Sequence, residues 1–108
     1  MKTRVTKIGF VIFAAGFAVM TAHADPFPGA APAAGKKLFD QSKCAACHIS
    51  LVGGDGSKVF TWSGHKVRSA AQLLSRVQFC VTNTGAQVFP DEVKDIAAYL
   101  NQQYYHFK

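Results

Sequence analysis

The chain has 108 residues and a formal net charge of +6, with 12 Lys and Arg against 6 Asp and Glu. Three of these basic residues lie at positions 1–24, so residues 25–108 carry only +3 and contain no basic run interleaved with aromatics. This pattern gives no support to nucleic-acid binding. A domain as short as residues 25–108 buries only a small core. Domains of that size commonly need additional stabilisation, for example by a bound cofactor.

Residues 1–24 have the organisation of a secretory signal peptide. A positively charged start precedes an uninterrupted apolar run at 8–20, and a small-x-small cleavage site follows at 22–24. The apolar run is shorter than the roughly 20 residues of a membrane span. We therefore expect export to the periplasm, cleavage after Ala24 and no membrane span in the mature chain, with an uncleaved anchor as the alternative.

The mature chain opens with an extended segment and a short helix. Residues 25–34 carry Pro and Gly at close spacing, which predicts an extended entry segment. Residues 35–43 predict one or two amphipathic helical turns with Leu38 and Phe39 as their apolar face. This helix leads directly into Cys44.

A Cys-x-x-Cys-His run occupies residues 44–48. In an exported protein this pattern indicates covalent attachment of one c-type haem. Cys44 and Cys47 would form thioether bonds to the haem vinyl groups, and His48 would supply the proximal nitrogen to iron.

Two other interpretations of the Cys-x-x-Cys pair are weaker. A thioredoxin-like pair needs a βαβ setting in a cytosolic protein, and no such alternation is visible. A zinc site needs a second pair of ligands at matching spacing, whereas the remaining His65, Cys80 and His106 are widely scattered.

The rest of the chain predicts a loop and two helices. Residues 49–68 contain four glycines and predict a loop that crosses the haem edge. Ser69 is a candidate N-cap for a helix that runs to about Val81. The apolar residues of this helix recur at spacings of three and four, which places them on one face. They are Ala70, Leu73, Leu74, Val77 and Cys80.

A turn around Gly85 precedes the last predicted helix. Pro90 opens this helix, and Asp91 and Glu92 in its first turn favour its dipole. Its predicted buried stripe is Val93, Ile96, Ala97, Leu100 and Tyr104. No segment of useful length has the period of a strand, so the predicted fold class is all-α. We expect three or more helices wrapped around one haem c in a single domain, residues 25–108.

The chain resembles the class I cytochrome c family. The resemblance rests on Gly35 and Phe39 ahead of the Cys-x-x-Cys-His motif and on the closing helix at 95–100, and it covers about residues 33–107. It implies that the first and last helices cross through small and aromatic positions. The family often satisfies the haem propionates with a Trp N–H and basic side chains.

The resemblance therefore implies that the haem propionates are bound by Trp62, Arg68 and Lys66, on the loop side of the haem. The plainer alternative is a surface loop with a partly packed Trp. Trp62 and Arg68 are the two residues that we carry forward as cofactor-binding candidates.

The chain departs from this family at the second axial ligand. The family usually supplies a Met sulfur, but the only methionines are Met1 and Met20, both in the signal peptide. Composition therefore excludes methionine ligation in the mature chain. The expected distal ligand is Cys80, which follows His48 at a distance that lets the chain wrap over the distal face. It shares the apolar face of the middle helix, and an odd Cys in an exported protein requires an explanation.

Other distal arrangements stay open. His65 lies in a Gly-containing loop that could fold over the haem, and Asn83 could serve as a weak ligand. His106 is expected to cap the chain end or face solvent, and an open distal position is the remaining option. Cys80 itself could instead be a small buried hydrophobe or form an intermolecular disulfide.

A narrower resemblance favours Cys80. The pattern is similar to a small group of monohaem cytochromes with His/Cys ligation, which includes a heterodimeric cytochrome of anaerobic ammonium-oxidising bacteria. The group resemblance admits a homologous cytochrome subunit as a partner. The residues that carry it are Arg76-Val77-x-x-Cys80, Phe89-Pro90-Asp91-Glu92, Ala98-Tyr99-Leu100-Asn101 and Tyr104-Tyr105-His106-Phe107.

A thiolate ligand would favour Fe(III) and lower the reduction potential. We therefore expect a periplasmic carrier of single electrons that exchanges them with redox partner proteins and is not an enzyme. The alternative is a protein that binds NO or CO, or senses redox state, through a labile Cys80–iron bond. An enzyme acting on sulfur compounds is disfavoured, because no constellation of acid, base and anion-binding groups accompanies Cys80.

Overall fold

The computed structural model describes residues 25–62, 64 and 66–108, together with Gly9 and Gly16. The rest of the predicted signal peptide and the candidate ligand His65 lie outside the described residues. Within them the chain forms five α-helices and a π-helical turn, and no strand, which confirms the all-α class. The elements are α1 (Pro32–Gln41), α2 (Ala45–Val52), α3 (Lys58–Thr61), α4 (Ala70–Thr84), α5 (Pro90–Leu100) and the π-helical turn (Asn101–Tyr105).

Helix α1 begins earlier than predicted. It starts at Pro32 rather than at residue 35, so the end of the expected extended segment is helical. Proline at the first helical position has its φ already set for the helix. The main-chain N–H of Ala31 donates to the Asp95 Oδ1 at 2.8 Å, so a residue of α5 provides the acceptor at this helix start.

The predicted loop at 49–68 is partly helical, and the prediction was wrong in that part. The helix that carries most of the Cys-x-x-Cys-His motif, α2, continues to Val52, and the single turn α3 follows. Helix α2 stops at Gly53, whose φ of 72° lies in the region that glycine adopts most readily. A turn at 54–57 joins these two helices.

Helix α4 has the predicted start. The Ser69 hydroxyl accepts a hydrogen bond from the main-chain N–H of Gln72 at 3.2 Å, which confirms the N-cap. The helix runs on to Thr84, beyond the expected end at Val81, and stops at Gly85 in the left-handed conformation.

Helix α5 also begins where predicted, with Pro90 at its first position. The Phe89 N–H donates to the Glu92 Oε1 at 3.0 Å, which satisfies one donor at the helix start. Most of the predicted stripe is buried, and its last member, Tyr104, is half-buried in the π-helical turn. The buried members are Val93, Ile96, Ala97 and Leu100.

The core lies where α5 packs between α1 on one side and α4 on the other. Helices α1 and α5 approach so closely at Gly35 that a Cβ atom there would overlap the main chain of Asp95. The expected apolar face of α1 packs against this core, and the ring of Phe39 lies 5.7 Å from that of Tyr99. The buried residues of the core are Phe27, Phe60, Val67, Leu73, Val77, Val81, Val93, Ile96, Ala97, Ala98 and Leu100.

The chain end folds back on the π-helical turn. The buried side-chain amide of Asn101 donates to the Phe107 carbonyl at 3.1 Å and accepts from the Phe107 N–H at 2.7 Å. The ring of Phe107 stacks on Tyr105 at 5.5 Å. This amide clamp fixes the position of Tyr105.

None of the helices in the described part of the chain combines the length and apolarity that a bilayer crossing would need.

Candidate haem site

A cavity of about 540 Å³ lies between α2 and α4 and is closed at its base by α5. Cavities of roughly 300–1,000 Å³ with apolar walls and a few polar groups are typical of cofactor sites. All five helices and the π-helical turn contribute to its walls. Its apolar lining consists of Phe39, Leu51, Val59, Phe60, Val67, Leu73, Val77, Val81, Ile96 and Leu100.

The Cys-x-x-Cys-His motif opens into this cavity from α2. A turn in which Lys43 has a φ of 53° joins α1 to α2. In this turn the Cys44 N–H donates to the Phe39 carbonyl at 3.2 Å. Both cysteines and His48 line the cavity. Cys44 is half-buried and Cys47 is exposed, and both are free thiols. Burial raises the pKa of Cys44, and the nearby Cys80 raises it further.

His48 is half-buried, and its ring is held by packing. Burial lowers its pKa, so the neutral imidazole that a metal requires is favoured. Its Nδ1 is buried and has no hydrogen-bond partner among the described residues. The ring makes a T-shaped contact with Phe60 at 5.2 Å. Because Nδ1 is inaccessible to solvent, Nε2 is the nitrogen that can bind a group in the cavity.

Cys80 lies on α4 and lines the same cavity as this motif, together with Leu73 and Val77. Its side chain is exposed, so it faces the open part of the cavity and is not the fully buried hydrophobe of the plainer alternative. Burial raises the pKa of Cys80, the positive charge of Arg76 opposes this shift, and Cys47 adds to it. The thiols of Cys44, Cys47 and Cys80 therefore interact electrostatically in one cavity.

The predicted propionate ligands are only partly brought together. Trp62 lines the cavity and is half-exposed, and Lys66 lines it beside Trp62. Arg68 does not line the cavity: it is exposed, and its main-chain N–H donates to the Gln72 Oε1 at 2.7 Å. The basic residues that line the cavity are Lys43, Lys66 and Arg76.

Arg76 was not among the predicted site residues. Its guanidinium lies 5.6 Å from the centre of the Phe79 ring, and its side chain reaches the cavity from α4. The sequence carried a signal for it, because Arg76 and Cys80 are four positions apart and so share a face of one helix. Tyr105 also lines the cavity. It lies in the π-helical turn that the Asn101–Phe107 clamp closes, and the sequence had indicated it only as part of the pattern at 104–107.

The other candidate distal ligands differ in position. Asn83 lines the cavity near the end of α4. His106 is exposed, does not line the cavity and ends the π-helical turn with its N–H donating to the Asn101 carbonyl at 2.8 Å. Among the described residues, no group of three or more His, Cys, Asp and Glu side chains is close enough to hold a bare metal ion.

The chain matches no protein-family model, no curated protein and no solved structure. The chemistry of the site must therefore be argued from its residues. The lining offers three thiols, an imidazole and a largely apolar surface. Three cationic residues, Lys43, Lys66 and Arg76, also line the cavity. This donor set fits a large apolar plate with anionic edges, a description that suits haem.

Proposed function

We propose that this chain is a periplasmic class I cytochrome c with one covalent haem, and that it transfers single electrons. The observation that carries the proposal is that the Cys-x-x-Cys-His motif on α2 and Cys80 on α4 line one apolar cavity. A haem held there supplies a one-electron Fe(III)/Fe(II) couple. The small core of residues 25–108 is then completed by its cofactor.

The roles of the chain's own groups follow from their positions. Cys44 and Cys47 hold the group through thioether bonds, and the Nε2 of His48 serves as the proximal ligand. Cys80 would be the distal ligand, because it is the remaining thiol of the lining and comes from a different helix, α4. A thiolate in an apolar cavity favours the ferric state and gives a low reduction potential.

The apolar walls and the cationic side chains complete the site. Residues such as Leu73, Val77 and Ile96 exclude water and keep the local dielectric low. Lys66 and Arg76 pair with the anionic edge groups of the cofactor, in the manner of charge-assisted hydrogen bonds. Trp62 provides an indole N–H at the same side of the cavity.

The first experiment is expression with a c-type cytochrome maturation system. We expect the exported protein to begin at Asp25 and to carry one haem that resists extraction, as measured by mass spectrometry and by the pyridine haemochrome spectrum. The double variant C44A/C47A is the matched control and should retain no covalent haem. A wild-type chain that matures without haem would overturn the proposal.

The ligand assignment is tested by electron paramagnetic resonance of the ferric protein. We expect low-spin thiolate g-values with a narrow spread, and C80A should keep the haem, lose this signal and have a higher reduction potential. An unchanged spectrum in C80A would remove Cys80 as the ligand. A bis-histidine signal in the wild type would move the assignment to His65, and a high-spin signal would mean an open distal position.

A second candidate function is the binding of NO or CO at the distal position. The observation that favours it is the exposure of Cys80 in a cavity where burial raises the pKa of the thiol. A reduced iron holds a neutral thiol weakly, so the distal position could open on reduction. We expect reduced protein to change its Soret spectrum under CO. If it stays six-coordinate and ignores both gases, this function is excluded.

The partners of the carrier follow from the same proposal. Redox proteins of the periplasm would dock where the cavity opens to solvent, and a homologous cytochrome subunit is a further candidate. Size-exclusion chromatography with light scattering, alone and with candidate subunits, separates a monomer from a dimer.

A further inference from the structure

A buried polar atom stands behind the proposed proximal ligand. The Nδ1 of His48 is inaccessible to solvent and has no hydrogen-bond partner among the described residues. Metal-ligating histidines almost always donate this second nitrogen to a carbonyl or carboxylate, which fixes the ring plane and strengthens the donor. Within the described part of the chain, the usual means of orienting a ligand histidine is therefore missing.

Two residues behind α2 take up the space around this ring. Phe60 makes a T-shaped contact with the imidazole, with ring centres 5.2 Å apart and planes at 82°. Gly56 has a φ of +82°, and a Cβ atom built on it would lie 2.9 Å from the Cβ of His48. The chain between α2 and α3 is therefore pressed directly against the histidine.

Phe60 is itself held firmly. It is buried, stacks on Tyr104 at 4.8 Å and makes a tilted contact with Phe39 at 6.2 Å. Tyr105 approaches its ring at 6.3 Å from the π-helical turn. Aromatic pairs at such separations prefer tilted or offset geometries, and buried rings in this arrangement have little freedom to turn.

We propose that Phe60 is the positioning residue for His48, and that its aromatic contact replaces the missing hydrogen bond at Nδ1 in fixing the plane of the imidazole. The inference rests on the proposed function, because it assigns a role toward the proximal ligand of a haem. It extends that function by tying the ligand plane to an aromatic cluster built from α1, α3 and the π-helical turn.

Two consequences distinguish this arrangement from a hydrogen-bonded histidine. Without an acceptor at Nδ1, the imidazole donates less charge to a metal than a histidine paired with a carboxylate does. The ring plane also depends on the shape of its neighbour, so a flexible side chain in place of Phe60 allows more than one orientation.

The test uses the full chain matured with haem and the variants F60L and F60M. Both side chains remain apolar and bulky, but neither offers a rigid ring face. Because the g-values of a low-spin ferric haem depend on the planes of its axial ligands, we expect a broadened or doubled low-spin signal in each variant. F60Y keeps the ring and should restore a single signal.

The matched control is F27L. Phe27 is also a buried core phenylalanine, at 5% exposure against 9% for Phe60, but it does not line the cavity. Its replacement should lower stability and leave the g-values unchanged.

The possible outcomes test the role of Phe60 separately from the proposed cytochrome function. A wild-type chain without covalent haem overturns both. Haem-loaded F60L with the wild-type low-spin signal overturns the role of Phe60 alone and leaves the cytochrome assignment intact. If F60L fails to fold, F60M decides between the same two results. A change in F27L as large as that in F60M also overturns the inference, since general loosening of the core would then explain it.

Discussion

Gly35 of α1 lies directly against the main-chain carbonyl of Asp95 in α5. A Cβ atom built on Gly35 would overlap that carbonyl and would come within 2.8 Å of the Ile96 nitrogen. The side chain of Asp95 meanwhile accepts the Ala31 N–H at 2.8 Å, at the start of α1. One residue of α5 therefore contacts α1 through its main chain and its side chain, and this pair of contacts sets how the two helices cross.

The crossing predicts a large penalty for G35A. Main-chain atoms cannot move aside as a flexible side chain could, so the helices must separate, and overpacking of this kind costs about 1–3 kcal/mol or more. Urea denaturation followed by circular dichroism measures the loss. G64A is the control, because a Cβ there meets only an ordinary contact with Trp62 at 4.0 Å. Equal stability of the two variants would contradict the crossing.

We expect a second packing effect at Gly56, which lies against His48, the proposed proximal histidine. Alanine at Gly56 would press on His48, and we expect G56A to be less stable than G54A by about 1–3 kcal/mol. G54A is a close match, because Gly54 also has a positive φ, +59°, but nothing lies within 4 Å of its Cβ position. Both variants carry the strain of a positive φ, so the difference measures the contacts of the added Cβ with His48 and with the main chain of α2 at Ala45 and Ile49. Thermal denaturation gives the comparison, and a difference near zero would contradict it.

The positions of the arginines predict unequal effects on the reduction potential. A positive charge at the cavity stabilises the reduced state, so R76Q should lower the potential. We expect a fall of about 20–60 mV, given that about 59 mV is a tenfold change in the equilibrium constant of a one-electron couple. R68Q removes the same charge from outside the cavity lining and should change the potential far less. Redox titration measures the reduction potential of both variants. A larger fall in R68Q than in R76Q would identify Arg68 as the cofactor-binding arginine.

The tyrosines predict a loss of stability at alkaline pH. Burial raises the pKa of Tyr104, and the charge of Tyr99 raises it further. The unfolded chain then releases this proton at a lower pH than the folded chain does, starting near the ordinary value of about 10. The stabilising contribution is therefore complete below that pH and is lost as the pH rises through the folded pKa.

Y104F isolates this effect, because it removes the ionisable hydroxyl and keeps the ring that stacks on Phe60. The urea midpoint of the wild type should fall between about pH 9 and pH 11, and the fall should be smaller in Y104F. Identical falls in the two proteins would show that Tyr104 takes no part.

The features that could be predicted from the sequence depend on local chemistry. Ser69 caps α4 and Pro90 opens α5, because each acts within one turn of its own helix. The Cys-x-x-Cys-His motif lies on one short helix, so its three side chains reach the same cavity as expected.

The parts that could not be predicted depend on distant contacts. The start of α1 uses an acceptor 64 positions away in the chain. Which basic side chains line the cavity depends on how α4 packs against the other helices, which no periodicity encodes. The contact between Phe60 and His48 likewise joins two helices across a glycine-rich turn.

The π-helical turn is an α-helical turn that holds one extra residue. The His106 N–H donates to the Asn101 carbonyl five positions earlier, whereas the corresponding bond of an α-helix spans four. Deleting the exposed Gln103 would make His106 the fourth residue after Asn101, so the same hydrogen bond would become an α-helical one. Tyr105 and Phe107 would then keep their places, and the chain end can absorb the loss of this single codon.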